Sequence, residues 1–256
     1  MSELVLVEDA DGVRTIRFNR PDKKNALTRA MYTAAAEALE SGEAGASIRV
    51  FIIAGAGGVF TAGNDLGDFM TAPPSIGTGE MPPVEHFMQA LLHCKKPVIA
   101  AVDGLAIGIG VTMLMHCDLA YASSRASFKT PFVDLALAPE YGSSQMMPRM
   151  FGHVVAADLL LLGSVWDAAK AASHGLITDV ADDVEAMARS AALNLAAKAP
   201  GALRAAKELM RRPDEAINDR IGLEGGMFAE LLRSPEFTEA ATAFMERRKP
   251  DFSKFG

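Results

Sequence analysis

Across 256 residues the chain carries 25 Lys and Arg against 32 Asp and Glu, a formal net charge of −7, with 50% of residues hydrophobic and 22% charged. That length buries a sizeable core as one large domain or a domain with an appendage, which excludes a peptide-sized, disordered or disulfide-stapled scaffold. The net negative charge has the wrong sign for neutralising phosphate along a duplex, so no nucleic-acid partner is expected.

Leu4–Val7 and Val13–Phe18 flank an Asp11-Gly12 turn and read as an opening hairpin with one wet face. A helix follows from Thr28, its N-cap, through Leu39. Ile48–Ile53 is too apolar to leave a face exposed and is expected as a central strand. The Pro/Gly-rich stretch Thr71–Pro83 reads as a mobile surface loop, an inert connection or a lid. Beyond it the spacing predicts a helix over Pro83–Cys94, a buried strand over Val98–Val102, a helix over Val111–Met115 and a strand over Leu119–Ala122. Strand and helix alternate in this way to about residue 180, the pattern of an α/β fold. After Asp182 the chain reads as helices alone: Val184–Lys198, Ala202–Arg212, Asp219–Arg233 and Pro235–Arg247, with Pro200, Pro213 and Pro235 at their boundaries.

Several chemistries find no support. Cys94 and Cys117 lie in apolar stretches outside any C-x-x-C pair and read as buried reduced thiols, which fits a cytoplasmic location. The amino terminus lacks a signal-peptide layout, and Asp103 with Gly104, Gly108 and Gly110 interrupts the most apolar run, Pro97–Met115, so no membrane partner is expected. Gly108-Ile-Gly110 opens a dinucleotide-like turn, but Met113 stands where a third glycine is required. No P-loop and no G-x-S-x-G are present, and the five histidines never fall in metal-ligand spacing, so no metal is assigned.

Two features remain. In Phe51–Leu66 and Val98–Gly110 a buried strand runs into a glycine-bearing turn, where backbone N–H groups can approach a ligand and hold an oxyanion, or where the turns serve packing alone. The other is Glu140, a lone acid in the apolar stretch Leu135–Ser144. Buried, it would have a raised pKa suited to moving protons near neutrality; alternatively it complements the dipole of a helix beginning near Ser143.

Asn19-Arg-Pro21 with Asn25-Ala-Leu27, Phe60–Leu66, Pro97–Gly104, Gly108-Ile-Gly110, Cys117-Asp118 and Phe244–Lys249 together resemble the crotonase superfamily, the enoyl-CoA hydratase/isomerase family, over nearly the whole length. The resemblance implies an α/β spiral of ββα units over 1–195 and a helical trimerisation region over 196–256, assembled as a homotrimer or a hexamer of paired trimers. It implies an oxyanion hole built from the N–H groups of Asn64 and Ile109, the latter just after Gly108. Ala62, Gly63, Asp65 and Leu66, with the Lys23 and Lys24 backbone, would border coenzyme A, which enters as part of an acyl-CoA thioester with no separate cofactor. Arg247 aligns with a position that reaches CoA phosphates from a neighbouring subunit, or it is an ordinary cation at a helix end.

The departures bear on the reaction. Thr112 and Phe132 stand where the family's hydratases carry two glutamates, whereas Gly63–Leu66 with Pro139-Glu140 and Ser143-Ser144 resembles the peroxisomal-type Δ3,Δ2-enoyl-CoA isomerases and their bacterial relatives. That likeness implies Glu140 as the single base and Phe132 as part of a dry pocket wall. Another CoA-thioester reaction, hydration or hydrolysis, and a non-catalytic acyl-CoA binder are the alternatives.

Overall fold

The hairpin expected at the amino terminus is formed by β1 (Val5–Ala10) and β2 (Val13–Phe18), antiparallel, with Asp11 and Gly12 both in the left-handed region at φ 54° and 75°. The computed structural model describes residues 4–71 and 81–255. Helix α1 (Arg29–Ala44) follows, capped by Thr28, whose hydroxyl accepts the Met31 N–H at 3.4 Å. Next come β3 (Val50–Gly55), α2 (Leu66–Thr71), α3 (Pro83–His93) and β4 (Val98–Val102). Residues 72–80 of the stretch read as a loop or lid lie outside the described residues.

The chain continues through β5 (Leu105–Ile107), α4 (Ile109–Thr112), β6 (Leu119–Ala122) and β7 (Ser127–Lys129). The helix expected at Val111–Met115 therefore starts two residues earlier, at Ile109, and tightens into a 3-10 turn over Met113–His116. Helices α5 (Ser143–Phe151) and α6 (His153–Leu160), strand β8 (Trp166–Asp167), helix α7 (Ala168–Ser173) and strand β9 (Asp179–Val180) complete the α/β part. Helices α8 (Val184–Ala196), α9 (Pro200–Arg211), α10 (Ile217–Leu231) and α11 (Pro235–Met245) form the helical end foreseen from the sequence.

Among the described residues the main sheet runs β1-β2-β3-β4-β6-β9, parallel from β2 onward. Every residue of β3 and β4 is buried, and the pleat divides them. Phe51, Ile53, Val98 and Ala100 face the core shared with α1 and α3, while Val50, Ile52, Ala54, Ile99 and Ala101 meet Val184, Ala188 and Ala192 of α8. Those α8 residues recur every fourth position, the spacing of one helix face. Both faces being covered explains why these strands lack apolar–polar alternation.

Among the described residues a second, shorter sheet accompanies the first. β5 pairs with β7 and β7 with β8, and the row is extended by single-residue bridges Leu27–Asn64 and Thr61–Ala106. β3, β4 and β6 thus each pass through a turn into a short strand or bridge of this layer and then into a helix, giving successive ββα turns. Helix α9 is tied to this frame by Lys207, whose Nζ donates to the Lys96 carbonyl at 2.5 Å and to Asp118 Oδ2 at 2.7 Å. Asp118 also accepts the Val98 N–H at 2.7 Å, so one carboxylate links α9 to the start of β4. No helix among the described residues is long and apolar enough to cross a membrane.

Candidate active site

The second layer sets the direction of two peptide groups. Leu27 N–H donates to the Gly63 carbonyl at 2.8 Å and Asp65 N–H donates to the Leu27 carbonyl at 2.9 Å. In a trans peptide the carbonyl and the following N–H point opposite ways, so the Asn64 N–H is aimed away from Leu27. On that other side lie residues 105–107: Thr61 N–H donates to the Leu105 carbonyl at 2.9 Å and Ile107 N–H to the Thr61 carbonyl at 3.0 Å. Gly63, at φ 86°, comes so close to this neighbour that a Cβ on it would sit 2.8 Å from the Ile107 carbonyl oxygen. Only glycine permits that approach.

Gly108, at φ 56° and ψ −115°, turns the chain from β5 into α4. Its carbonyl accepts the N–H groups of Val111 at 2.9 Å and Thr112 at 3.0 Å, which leaves the Ile109 N–H pointing out of the start of the helix. Among the described residues neither the Asn64 nor the Ile109 N–H has an acceptor. The structure therefore places the Asn64 donor in a strand bridge beside Leu27 and the Ile109 donor at the start of the helix that follows β5.

Glu140 reaches the same place from the segment before α5. Thr112, at the end of α4, donates through its hydroxyl to Glu140 Oε1 at 2.5 Å, while Oε2 is buried with no partner. Burial raises the carboxyl pKa to about 7, with the Thr112 hydrogen bond acting in the opposite direction. Of the two roles open to this acid from sequence, the geometry favours the buried one: α5 begins at Ser143, but the carboxylate turns to Thr112 and not to the helix. The backbone around it is held firmly. Ser143 donates from its hydroxyl to the Glu140 carbonyl at 2.7 Å, and Tyr141, at φ 54°, stacks on His116 with ring centroids 3.8 Å apart. His116 Nε2 lies 2.9 Å from the Tyr141 carbonyl, an acceptor only, so Nε2 carries the proton; burial lowers the His116 pKa against the opposing pull of that hydrogen bond.

The expected coenzyme A border is gathered beside this cluster. Ala62 N–H donates to the Lys24 carbonyl at 2.9 Å, which sets Lys23 and Lys24 next to Ala62 and Gly63. Both lysines are exposed, and Leu66 opens α2 with 55% exposure. Asp65 is already engaged: Oδ2 accepts from Arg20 at 2.6 Å and Oδ1 accepts the Asp68 N–H at 3.0 Å, and the Arg20 hydrogen bond holds its pKa below the usual range. Phe132 is buried at 7% exposure. Arg247 is not brought to these residues within one chain. It is exposed, and the tail five residues on docks at the opposite ends of the strands, where Arg49 donates to the Phe252 carbonyl at 2.8 Å.

Sequence reasoning missed two contributors. Thr112 was considered only as a missing carboxylate, yet it is the hydrogen-bond partner of Glu140. Tyr32 had no sequence signal, because a buried aromatic on the inner face of α1 reads as core; its hydroxyl donates to Asn64 Oδ1. Cys94 and Cys117 stay outside the chemistry, with burial pushing both thiols up to about 12.

Comparison with known proteins places the sequence and the fold in one family. The profile described as enoyl-CoA hydratase/isomerase matches residues 8–254. Human enoyl-CoA delta isomerase 2 is 34% identical over 96% of this chain, which spans 64% of that enzyme's length. The 2,3-dehydroadipyl-CoA hydratase of Escherichia coli (strain K12) is 32% identical over 98% of this chain and 99% of its own. The solved structure of a candidate enoyl-CoA hydratase/carnithine racemase from Magnetospirillum magneticum AMB-1 shares 46% identity and superposes with a TM-score of 0.95, over 99% of this chain and 100% of that one. With its ββα turns, a family match over residues 8–254 and a close structural likeness over almost its entire length, the chain belongs to the enoyl-CoA hydratase/isomerase family and has the crotonase fold.

Proposed function

We propose that this chain is a Δ3,Δ2-enoyl-CoA isomerase in which Glu140 is the single base. The observation that carries this reading is the carboxylate of Glu140: buried, raised to about 7, and held by Thr112 at one oxygen with Oε2 unpartnered. A 3-enoyl thioester is acidic at C2 because the electron pair left behind delocalises onto the thioester oxygen. Oε2 takes the C2 proton; the C2–H electrons become the C1=C2 bond of a dienolate, and the oxygen charge is met by the N–H groups of Asn64 and Ile109. Collapse of the dienolate restores the carbonyl and forms C2=C3, while C4 takes the same proton back from Glu140. The acyl-CoA is both substrate and carrier, and these steps call on no metal or redox cofactor.

Water addition by the family's route needs two carboxylates, and the second positions hold Thr112, whose hydroxyl is committed to Glu140, and the buried Phe132. Hydratases among the relatives keep another CoA-thioester reaction as the second reading, and a non-catalytic binder as the third. The proposal includes a cytoplasmic homotrimer or hexamer, divided into a core over 1–195 and a helical region over 196–256. Support for assembly comes from Ile217, Ile221 and Phe228, which lie along α10 and are 71%, 58% and 67% exposed.

Glu140→Gln is the test. It is expected to lower conjugation of 3-hexenoyl-CoA by about 100- to 10,000-fold while acyl-CoA binding is retained. Wild-type hydration of 2-hexenoyl-CoA without any isomerisation would replace this reading with the second, and binding without turnover would replace it with the third.

A further inference from the structure

Tyr32 lies one turn inside α1, and it is 2% exposed. Its ring is fixed by the packing of α1 on α3, with the Phe87 ring centroid 5.7 Å away at 45°. A phenol buried among apolar side chains requires a partner for its hydroxyl. Here the partner is Asn64 Oδ1, on the residue whose N–H stands unbonded toward the glycine turn at 108.

The side-chain oxygen of an asparagine is a strong local acceptor that readily captures backbone N–H groups of its own turn. Left free, Oδ1 of Asn64 would compete for the very donors that an oxyanion needs. The peptide between Gly63 and Asn64 is braced on its carbonyl side by Leu27, while its N–H side has no hydrogen bond among the described residues. Holding the Asn64 side chain therefore steadies this peptide from the other end.

We propose that Tyr32 is a positioning residue for the oxyanion hole, its hydroxyl occupying Asn64 Oδ1 so that the Asn64 N–H stays aimed at the thioester oxygen. The inference rests on the oxyanion reading given above, and it deepens that reading with a residue outside the catalytic pair. Burial and the nearby Glu140 carboxylate also hold the Tyr32 phenol well above 10, so it remains a neutral donor throughout the range in which Glu140 titrates.

The test has a spectroscopic arm and a kinetic one. Binding of 2,4-hexadienoyl-CoA, a conjugated thioester, is followed by its absorbance, which moves to longer wavelength as its carbonyl is polarised. Tyr32→Phe keeps the ring and is expected to reduce that shift. With 3-hexenoyl-CoA it is expected to lower kcat about 10- to 100-fold with little change in KM, the cost of a slightly misplaced group. Asn64→Ala removes the acceptor, and the double variant is expected to lose no more than the worse single one, because both act through one contact. A full wild-type shift in Tyr32→Phe, or losses that multiply in the double variant, would overturn the inference. So would a Tyr32→Phe effect confined to the pH profile, which would assign the hydroxyl to Glu140 instead. The absence of any shift in the unaltered protein would overturn it together with the oxyanion hole. Because the shift needs no turnover, a protein that polarises the dienoyl thioester through Tyr32 yet fails to isomerise 3-hexenoyl-CoA would refute the isomerase reading alone.

Discussion

At Glu140 two influences oppose each other: burial lifts the pKa from its usual 4.5 to about 7, and the Thr112 hydroxyl pulls it back. A base works only when ionised, so isomerase kcat/KM is expected to rise with pH through the neutral range and level off above it. Thr112→Val removes the hydrogen bond and is expected to move that rise to higher pH; an unchanged pH profile would separate Thr112 from the base. The same shift acts on stability. Between 4.5 and 7 the folded state binds the proton and the unfolded state does not, so the stabilisation is complete below 4.5 and is lost as pH rises through 7. Its size is about 3 kcal/mol. Glu140→Gln, which cannot ionise, is expected to gain stability relative to wild type on going from pH 5 to pH 8, read from urea unfolding at both. Equal differences at the two pH values would contradict this. Glu140 was legible in the sequence as an acid in an apolar stretch, because composition alone marks such a residue as costly to bury. Thr112 and Tyr32 were not, since a hydroxyl's role depends on what the fold brings within hydrogen-bond reach.

The Asn64 N–H is aimed by single-residue strand bridges and the Ile109 N–H by the Gly108 turn from the three-residue β5 into α4, all too short for any hydrophobic period. Sequence reading therefore located the glycine turns but not the second layer that joins them. The long strands were legible for the opposite reason: β3 and β4 are buried on both faces and read as unbroken apolar runs. Gly63 is where this layer is tightest, and the atom a Cβ would meet is the Ile107 backbone carbonyl, which cannot swing aside. Gly63→Ala is expected to push residues 61–64 off their neighbour and lower kcat about 100-fold, with acyl-CoA binding weakened far less. Wild-type kcat in this variant would show that the spacing of the two strands does not set the geometry of the oxyanion hole.

For the whole molecule, the boundary between alternating α/β and helical parts was visible in composition, because Ala-, Leu- and Glu-rich segments punctuated by proline replace β-branched runs after Asp182. What could not be read from that composition is how α9 is fastened, through buried Lys207 and half-buried Asp118, charged positions that the pattern marks as surface. Helix α10 buries no residue in the single chain, and its apolar stripe is the surface proposed to meet another copy. Ile221→Asp combined with Phe228→Asp is expected to lower the assembly mass measured by analytical ultracentrifugation and to raise KM for the acyl-CoA if Arg247 serves a neighbouring site. A wild-type chain that sediments as a monomer would contradict the assembly.

The most direct measurement is conversion of 3-hexenoyl-CoA deuterated at C2, followed by absorbance and by mass spectrometry of the product. A single base in a dry pocket is expected to give 2-hexenoyl-CoA with part of the deuterium at C4, and Glu140→Gln is expected to abolish that product. Turnover with no deuterium ever reaching C4, or a hydrated product in place of the conjugated one, would contradict the one-carboxylate shuttle.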